Sequence, residues 1–180
     1  MKQKQISESF LSLKEVRILI DSVSDARDKL MIRMLYETGC EVSELVDVKV
    51  KDLLGNKIKI KSSNGIRFSQ ISQKFSKDIR NYINGNNLQK TSFLFSTRQS
   101  GRISERRLRQ LIQKYSKTIF NKIINPQMFR YLHIAHAYLN GILLETISKQ
   151  IGISEYRIFQ VINDFNIKPV ANYNPFLKRI

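Results

Sequence analysis

The side chains best suited to chemistry in this sequence are cations, and they come in groups. Lys57, Lys59 and Lys61 alternate along one stretch, with Arg67 shortly after them. A second group is Arg98, Arg102, Arg106, Arg107 and Arg109; Arg130 and Arg157 follow singly. Ammonium and guanidinium groups bind phosphate, the first as a point charge and the second as a fork of donors. Any one of them is ordinarily a solvated charge, but the set points to nucleic acid. The balance of 31 Lys+Arg against 15 Asp+Glu gives a formal net charge of +16. Solubility alone asks for a net charge of only roughly 2 to 8. Metal chemistry has little to work with. Cys40 is the single cysteine, and His133 and His136 stand three apart without further ligands nearby. Both histidines are read as structural or surface residues, and neither a metal nor a cofactor is expected. No apolar run approaches the roughly 18–20 residues of a spanning helix, and no signal core follows the first residues. Membrane association is therefore not expected. The expected location is intracellular, cytoplasmic and nucleoid-associated.

These groups sit on elements that spacing makes legible. Residues 1–9 are polar and read as a flexible lead-in, 10–165 as one domain, and 166–180 as an irregular tail. A hydrophobic content of 42% over 180 residues suits one core-bearing domain. Ser12 and Glu15 form a capping-box pattern ahead of Leu13, Val16, Ile20 and Val23, which share a helical face. A second helix is predicted over Asp25–Thr38, with Leu30, Met31, Met34 and Leu35 inward and Gly39 as its cap. Ser43 is expected to cap a short helix over 44–48. The alternation of Lys57 to Lys61 predicts a half-buried strand, Asn64-Gly65 a turn, and 66–72 the returning strand. Helix is predicted over 73–83, a polar linker over 84–91 and a short strand over 92–96. Ser104 caps a helix carrying Leu108, Leu111, Ile112 and Tyr115. Pro126 opens the next, giving three final helices at about 127–140, 143–151 and 154–164. The expected fold class is mixed and predominantly α (α+β), with helices around a small antiparallel β-hairpin sheet.

Four segments carry a resemblance. Residues 11–53 include Tyr-Glu-Thr-Gly-Cys-Glu-Val-Ser-Glu-Leu-Val-Asp-Val-Lys-Val-Lys-Asp-Leu, residues 92–104 run from Ser-Phe-Leu-Phe-Ser to Ser-Gly-Arg-Ile-Ser, and residues 126–130 are Pro-Gln-Met-Phe-Arg. The fourth holds Asn140-Gly141, Ile147 and Ile151-Gly152-Ile153-Ser154. Together they resemble the catalytic domain of the tyrosine recombinase (phage integrase) family over about residues 10–165. That family carries Thr-Gly-x-Arg-x-Ser-Glu-Leu before its hairpin, then Pro-His-x-x-Arg, then Leu-Gly-His-Ser. The resemblance implies double-stranded DNA as partner and a tyrosine that attacks a DNA phosphate. Two arginines would clamp the phosphate, and a hairpin lysine and two histidine-type residues would assist proton transfer.

Residue by residue, this sequence departs from the pattern. The first arginine's position holds Glu41. The hairpin lysine aligns with Lys61 or Ser62. The first histidine's position holds Gln127, the second arginine is kept as Arg130, and the second histidine is replaced by Ile153. The nucleophile's position falls near Ile162. The expectation is a DNA-binding domain without strand transfer, accessory or architectural in integration or recombination, with a Glu41–Arg130 ion pair in the emptied pocket. The alternative within the pocket is a solvent-facing Glu41, with Arg130 left for phosphate. Tyr156 or Tyr173 would be the nucleophile of an active enzyme with an atypical site. Residues 145–164 also fit a helix-turn-helix regulator with Arg157 at the DNA. The family grips DNA with a two-domain clamp. A chain without the N-terminal half is expected to bind duplex DNA at micromolar order, unless it oligomerises or joins a recombinase partner.

Overall fold

The computed structural model describes residues 10–63, 65–97 and 101–167. Three helices come first: α1 (Leu13–Asp21), α2 (Ala26–Thr38) and the short α3 (Val42–Val46). A 3-10 turn at Val50–Asp52 leads into a sheet of β1 (Leu53–Leu54), β2 (Lys57–Ser62) and β3 (Gly65–Gln70), antiparallel in that order. Five helices follow: α4 (Gln73–Gly85), α5 (Glu105–Phe120), α6 (Gln127–Leu139), α7 (Leu144–Ile151) and α8 (Glu155–Asp164). This is the mostly helical architecture with a small antiparallel sheet that the sequence pattern indicates.

Local chemistry sets most boundaries. Ser12 Oγ accepts the Glu15 amide at 3.3 Å while the Ser12 amide donates to Glu15 Oε2 at 2.8 Å, completing the capping box. Asp25 accepts the Asp28 amide at 2.9 Å. Ser72, Ser104 and Ser154 each accept an amide of the helix they precede. Three local expectations need correction. Ser43 does not cap α3: the helix begins at Val42, two residues before the expected start, and the Glu44 carboxylate accepts the Glu41 amide at 2.8 Å. Residues 92–96 do not form a strand, and only Phe93 bridges to Lys49. Their pairing partners lie in the stretch that curls into the Val50–Asp52 turn, so the ladder cannot extend. Conversely, β1 pairs with β2, but two residues are too few to show a sequence period.

The hairpin register decides which side chains face where. Lys59 pairs with Phe68 and Ile60 with Arg67. Ile58, Ile60, Arg67 and Ser69 therefore point to the protein, while Lys57, Lys59, Lys61, Ile66, Phe68 and Gln70 point away. The free edge of β3 is closed by α7. Gln150 Oε1 accepts the Gln70 amide and Gln150 Nε2 donates to the Gln70 carbonyl, both at 2.8 Å, so a side-chain amide stands in for a fourth strand. The main core joins α1–α6 and the sheet, around Leu19, Met31, Leu35, Leu45, Phe75 and Phe129. A second cluster of Ile134, Ile147, Ile151, Ile158, Val161 and Ile162 ties α7 and α8 onto α6.

Two left-handed glycines seat this second cluster. Gly39 (φ +60°) ends α2, and a Cβ there would lie 3.2 Å from Ile151 Cγ1 and 3.4 Å from the His133 ring. Gly152 (φ +80°) ends α7, where a Cβ would meet Arg67 Cδ at 2.9 Å. Left-handed backbone costs a non-glycine residue roughly 1–2 kcal/mol before any crowding. Gly39→Ala should therefore lower stability by about 2 kcal/mol, read as an earlier urea midpoint with an unchanged slope.

Candidate functional site

A cavity of about 490 Å³ opens between α3, the tip of the hairpin and the α7–α8 turn, lined by Glu41, Ser43, Glu44, Asp47, Lys61, Ser62, Ser63, Arg130, Gly152 and Ile153. Each element delivers its side chains by the local rules above. The left-handed Gly39 turns the chain so that Glu41 and Glu44, three apart, look toward the same space. Alternation along β2 sets Lys61 at the rim. Arg130 lies on the first turn of α6, and its guanidinium is held by backbone. Its Nη1 donates to the Gly39 carbonyl at 2.9 Å and its Nη2 to the Ile151 carbonyl at 3.3 Å.

The electrostatic centre is a chain of alternating charges. Arg67 binds Glu44 with both forks, Nη1 to Oε1 at 2.6 Å and Nη2 to Oε2 at 2.7 Å. Arg130 Nη1 lies 3.8 Å from Glu44 Oε2 and 3.7 Å from Glu41 Oε1. The expected Glu41–Arg130 pair is thus present, as the outer link of a longer array. The side chains of Arg67, Glu44 and Arg130 are buried, and Glu41 is 50% exposed. Burial pulls Arg130 below the usual guanidinium value, while Glu44 and then Glu41 act against this. A guanidinium stays charged through such a shift. Cys40 lies just beneath; burial pushes its thiol up to about 12, so it is no nucleophile.

Of the residues singled out from sequence, Glu41, Lys61, Arg130 and Ile153 meet in this cavity. Lys61 and Ser62 both line it. Gln127 lies next door, in a cleft of about 90 Å³ shared with Glu41, Arg109 and Asn125. Ile162 is buried in the second core cluster. Tyr156, 71% exposed on the first turn of α8, does not line the cavity, and Tyr173 lies outside the described residues. Glu44, Asp47 and Ser63 were not anticipated. The three-residue spacing of Glu41 and Glu44, a capping-box spacing, was the available signal for Glu44.

The cation set also needs revision. Arg67 was expected among the phosphate ligands, but its forks are consumed by Glu44 and its side chain is buried, because its place in β3 points inward. Lys57, Lys59 and Lys61 are on the outer face and carry no ion pair among the described residues. Arg102 lies 2.8 Å from Asp47 and Arg109 2.9 Å from Glu105, both pairs half-exposed. Arg106 and Arg107 are exposed, as is Arg157, which donates to Gln160. Arg98 lies outside the described residues. The histidines are structural. His133 Nδ1 donates to the Tyr36 carbonyl at 2.8 Å, and His136 Nδ1 is 2.9 Å from the Tyr36 hydroxyl. Among the described residues, no cluster of His, Cys, Asp and Glu is suited to a metal ion, and no helix is long and apolar enough to cross a membrane.

Two measurements follow from this geometry. Glu44→Ala leaves Arg67 buried without its counter-ion and should cost about 3–5 kcal/mol in chemical denaturation. Burial lowers the His133 imidazole from 6.5 to about 4. The fold therefore favours the neutral ring, while the unfolded chain takes up a proton as pH falls below about 6.5. This contribution to stability is complete above that pH and is lost progressively toward about 4. His133→Asn should flatten the fall in stability between pH 7 and 4.5 relative to wild type.

Comparison with known proteins fits this geometry. The phage integrase family model matches residues 9–162. The tyrosine recombinase XerC of Thermodesulfovibrio yellowstonii is 25% identical over 185 residues, covering 93% of this chain and 62% of that protein. A probable integrase/recombinase protein of Methanocaldococcus jannaschii is 29% identical over 132 residues, covering 71% of this chain and 39% of its own. The crystal structure of XerA recombinase superposes with a TM-score of 0.76 at 23% identity, covering 84% of this chain and 57% of that one. A lambda integrase dimer bound to a COC′ core site gives 0.68 at 15%, covering 89% and 49%. The chain thus spans less than two thirds of each of these relatives. The family match runs through α7 and as far as residue 162 of α8, across most of the stretch that also fits a helix-turn-helix. With the family match running from residue 9 to residue 162 over that shared fold, this chain belongs to the phage integrase family and is built as a tyrosine recombinase catalytic domain.

Proposed function

We propose that this domain binds double-stranded DNA and does not itself cut or rejoin it. The observation that carries this reading is the carboxylate beside Arg130. Glu41 stands where the family has its first phosphate-clamping arginine, half-exposed in the cavity and 3.7 Å from Arg130, while Glu44 and Asp47 line the same cavity paired with Arg67 and Arg102. Arg130, which matches the family's second phosphate-clamping arginine, already has two carboxylates and two carbonyls around it. A phosphate about 4 Å from Glu41 would be repelled by roughly 4 kcal/mol at an effective dielectric of about 20, cancelling most of what Arg130 offers. The nucleophile's position falls near Ile162, which packs in the apolar cluster and does not line the cavity.

The cations outside the cavity support DNA binding. Lys61 lines it at the end of the outward row that Lys57 and Lys59 begin; Arg102 pairs with Asp47 of its lining, Arg109 lines the neighbouring cleft, and Arg106 and Arg107 are exposed on the first turn of α5. Arg157 adds a charge on α8. The solved lambda integrase with this fold is bound to its core-site DNA. Binding through phosphates suits an accessory or architectural role beside a complete recombinase, or as a homo-oligomer, at the nucleoid. Duplex affinity should be of micromolar order and fall about tenfold or more between 50 and 200 mM salt in a mobility-shift titration. Glu41→Arg should tighten it. A nicked suicide duplex should yield no covalent adduct. An adduct that disappears in Tyr156→Phe or Tyr173→Phe would overturn the non-catalytic reading, and affinity indifferent to salt would overturn the phosphate-contact one.

A further inference from the structure

The outward face of the sheet is not used by the reading above beyond its charge. Alternation and register place Phe68 at its centre, directly across from Lys59, with Lys57 and Lys61 on the diagonals. Phe68 is 52% exposed, Ile66 57% and Leu54 48%. A single exposed apolar residue needs no explanation. Three on one small sheet face, interleaved with three lysines that carry no ion pair among the described residues, are a different matter. The strands contain no acidic residue, so nothing on the face itself neutralises those lysines.

We propose that this face binds single-stranded DNA, with an unpaired base stacked on the Phe68 ring and the adjoining phosphates on Lys57, Lys59 and Lys61. Residues two apart on a strand lie about 6–7 Å from each other, so the lysines form a row of positive charge beside the ring, at a spacing suited to successive phosphates of an extended strand. An exposed aromatic among cations on a sheet is the arrangement by which proteins take up unpaired strands without sequence preference. A duplex engages the lysines but not the ring, because both faces of each base are covered by its neighbours. An acidic protein partner would likewise meet the lysines, but gains no specific advantage from a flat ring aligned with them. The proposal rests on the sheet alone and does not require the duplex-binding reading.

The test uses the whole chain, with labelled oligothymidylate of about 12 nucleotides and a duplex of equal length. Phe68→Ala should weaken oligothymidylate binding about tenfold or more, while duplex affinity changes less than about twofold. The chain has no tryptophan, so Phe68→Trp supplies a single indole. That variant should keep the affinity, and its fluorescence should be quenched as oligothymidylate is added. Wild type that fails to bind oligothymidylate, equal binding by wild type and Phe68→Ala, equal losses for both nucleic acids, or an indole unaffected by the bound oligonucleotide would each overturn the proposal. Failure of duplex binding alone would overturn only the preceding reading. If Phe68→Ala unfolds, the quenching measurement decides.

Discussion

Glu44 is a buried carboxylate with a guanidinium on either side, and the arrangement around it holds the two halves of the site together. Arg67 reaches it from β3, Arg130 from α6, and the Glu41 amide caps onto it from α3. Removing one charge from water costs several kcal/mol after relaxation. The array is tolerable because every buried member has counter-charges and hydrogen bonds: Arg67 Nε also reaches the Gln150 carbonyl, and Arg130 takes two further carbonyls. Among the described residues, no buried side-chain nitrogen or oxygen lacks a partner. The hairpin, α3, α6 and the end of α7 are thus locked in one arrangement by polar contacts that only that arrangement satisfies.

Packing supports the same junction. Gly39 and Gly152 bring backbone close to Ile151, His133 and Arg67, and Gln150 closes the sheet edge. The cluster around Ile147, Ile158 and Ile162 fixes α7 and α8 on α6. A helix held by Ile162 at that point cannot turn this residue toward the cavity without exposing the cluster.

The functional consequence is a separation of charge. With the half-exposed Glu41 included, the array of Arg67, Glu44, Arg130 and Glu41 is neutral in sum, while exposed cations stand on the sheet face and at the start of α5. A polyanion can be held by such a surface without any single phosphodiester being pressed into a reactive pocket.

Much of this was written in local sequence. Serine and aspartate caps, the alternation of Lys57 to Lys61, the glycine after Thr38 and the proline before Gln127 act over a few residues, so they read directly as element boundaries. The same locality made the family segments recognisable and put Glu41, Arg130 and Ile153 in one pocket on resemblance. What sequence could not decide were contacts between residues far apart in the chain. Arg67 and the lysines before it are alike as letters; only the register of β2 on β3 sends one inward to Glu44 and the others outward. Strand 92–96 failed because its partner segment curls away, a fact held in residues 50–52. The burial of Ile162 and the exposure of Phe68 likewise depend on what packs against each face, and that is settled only once the helices have closed on the sheet.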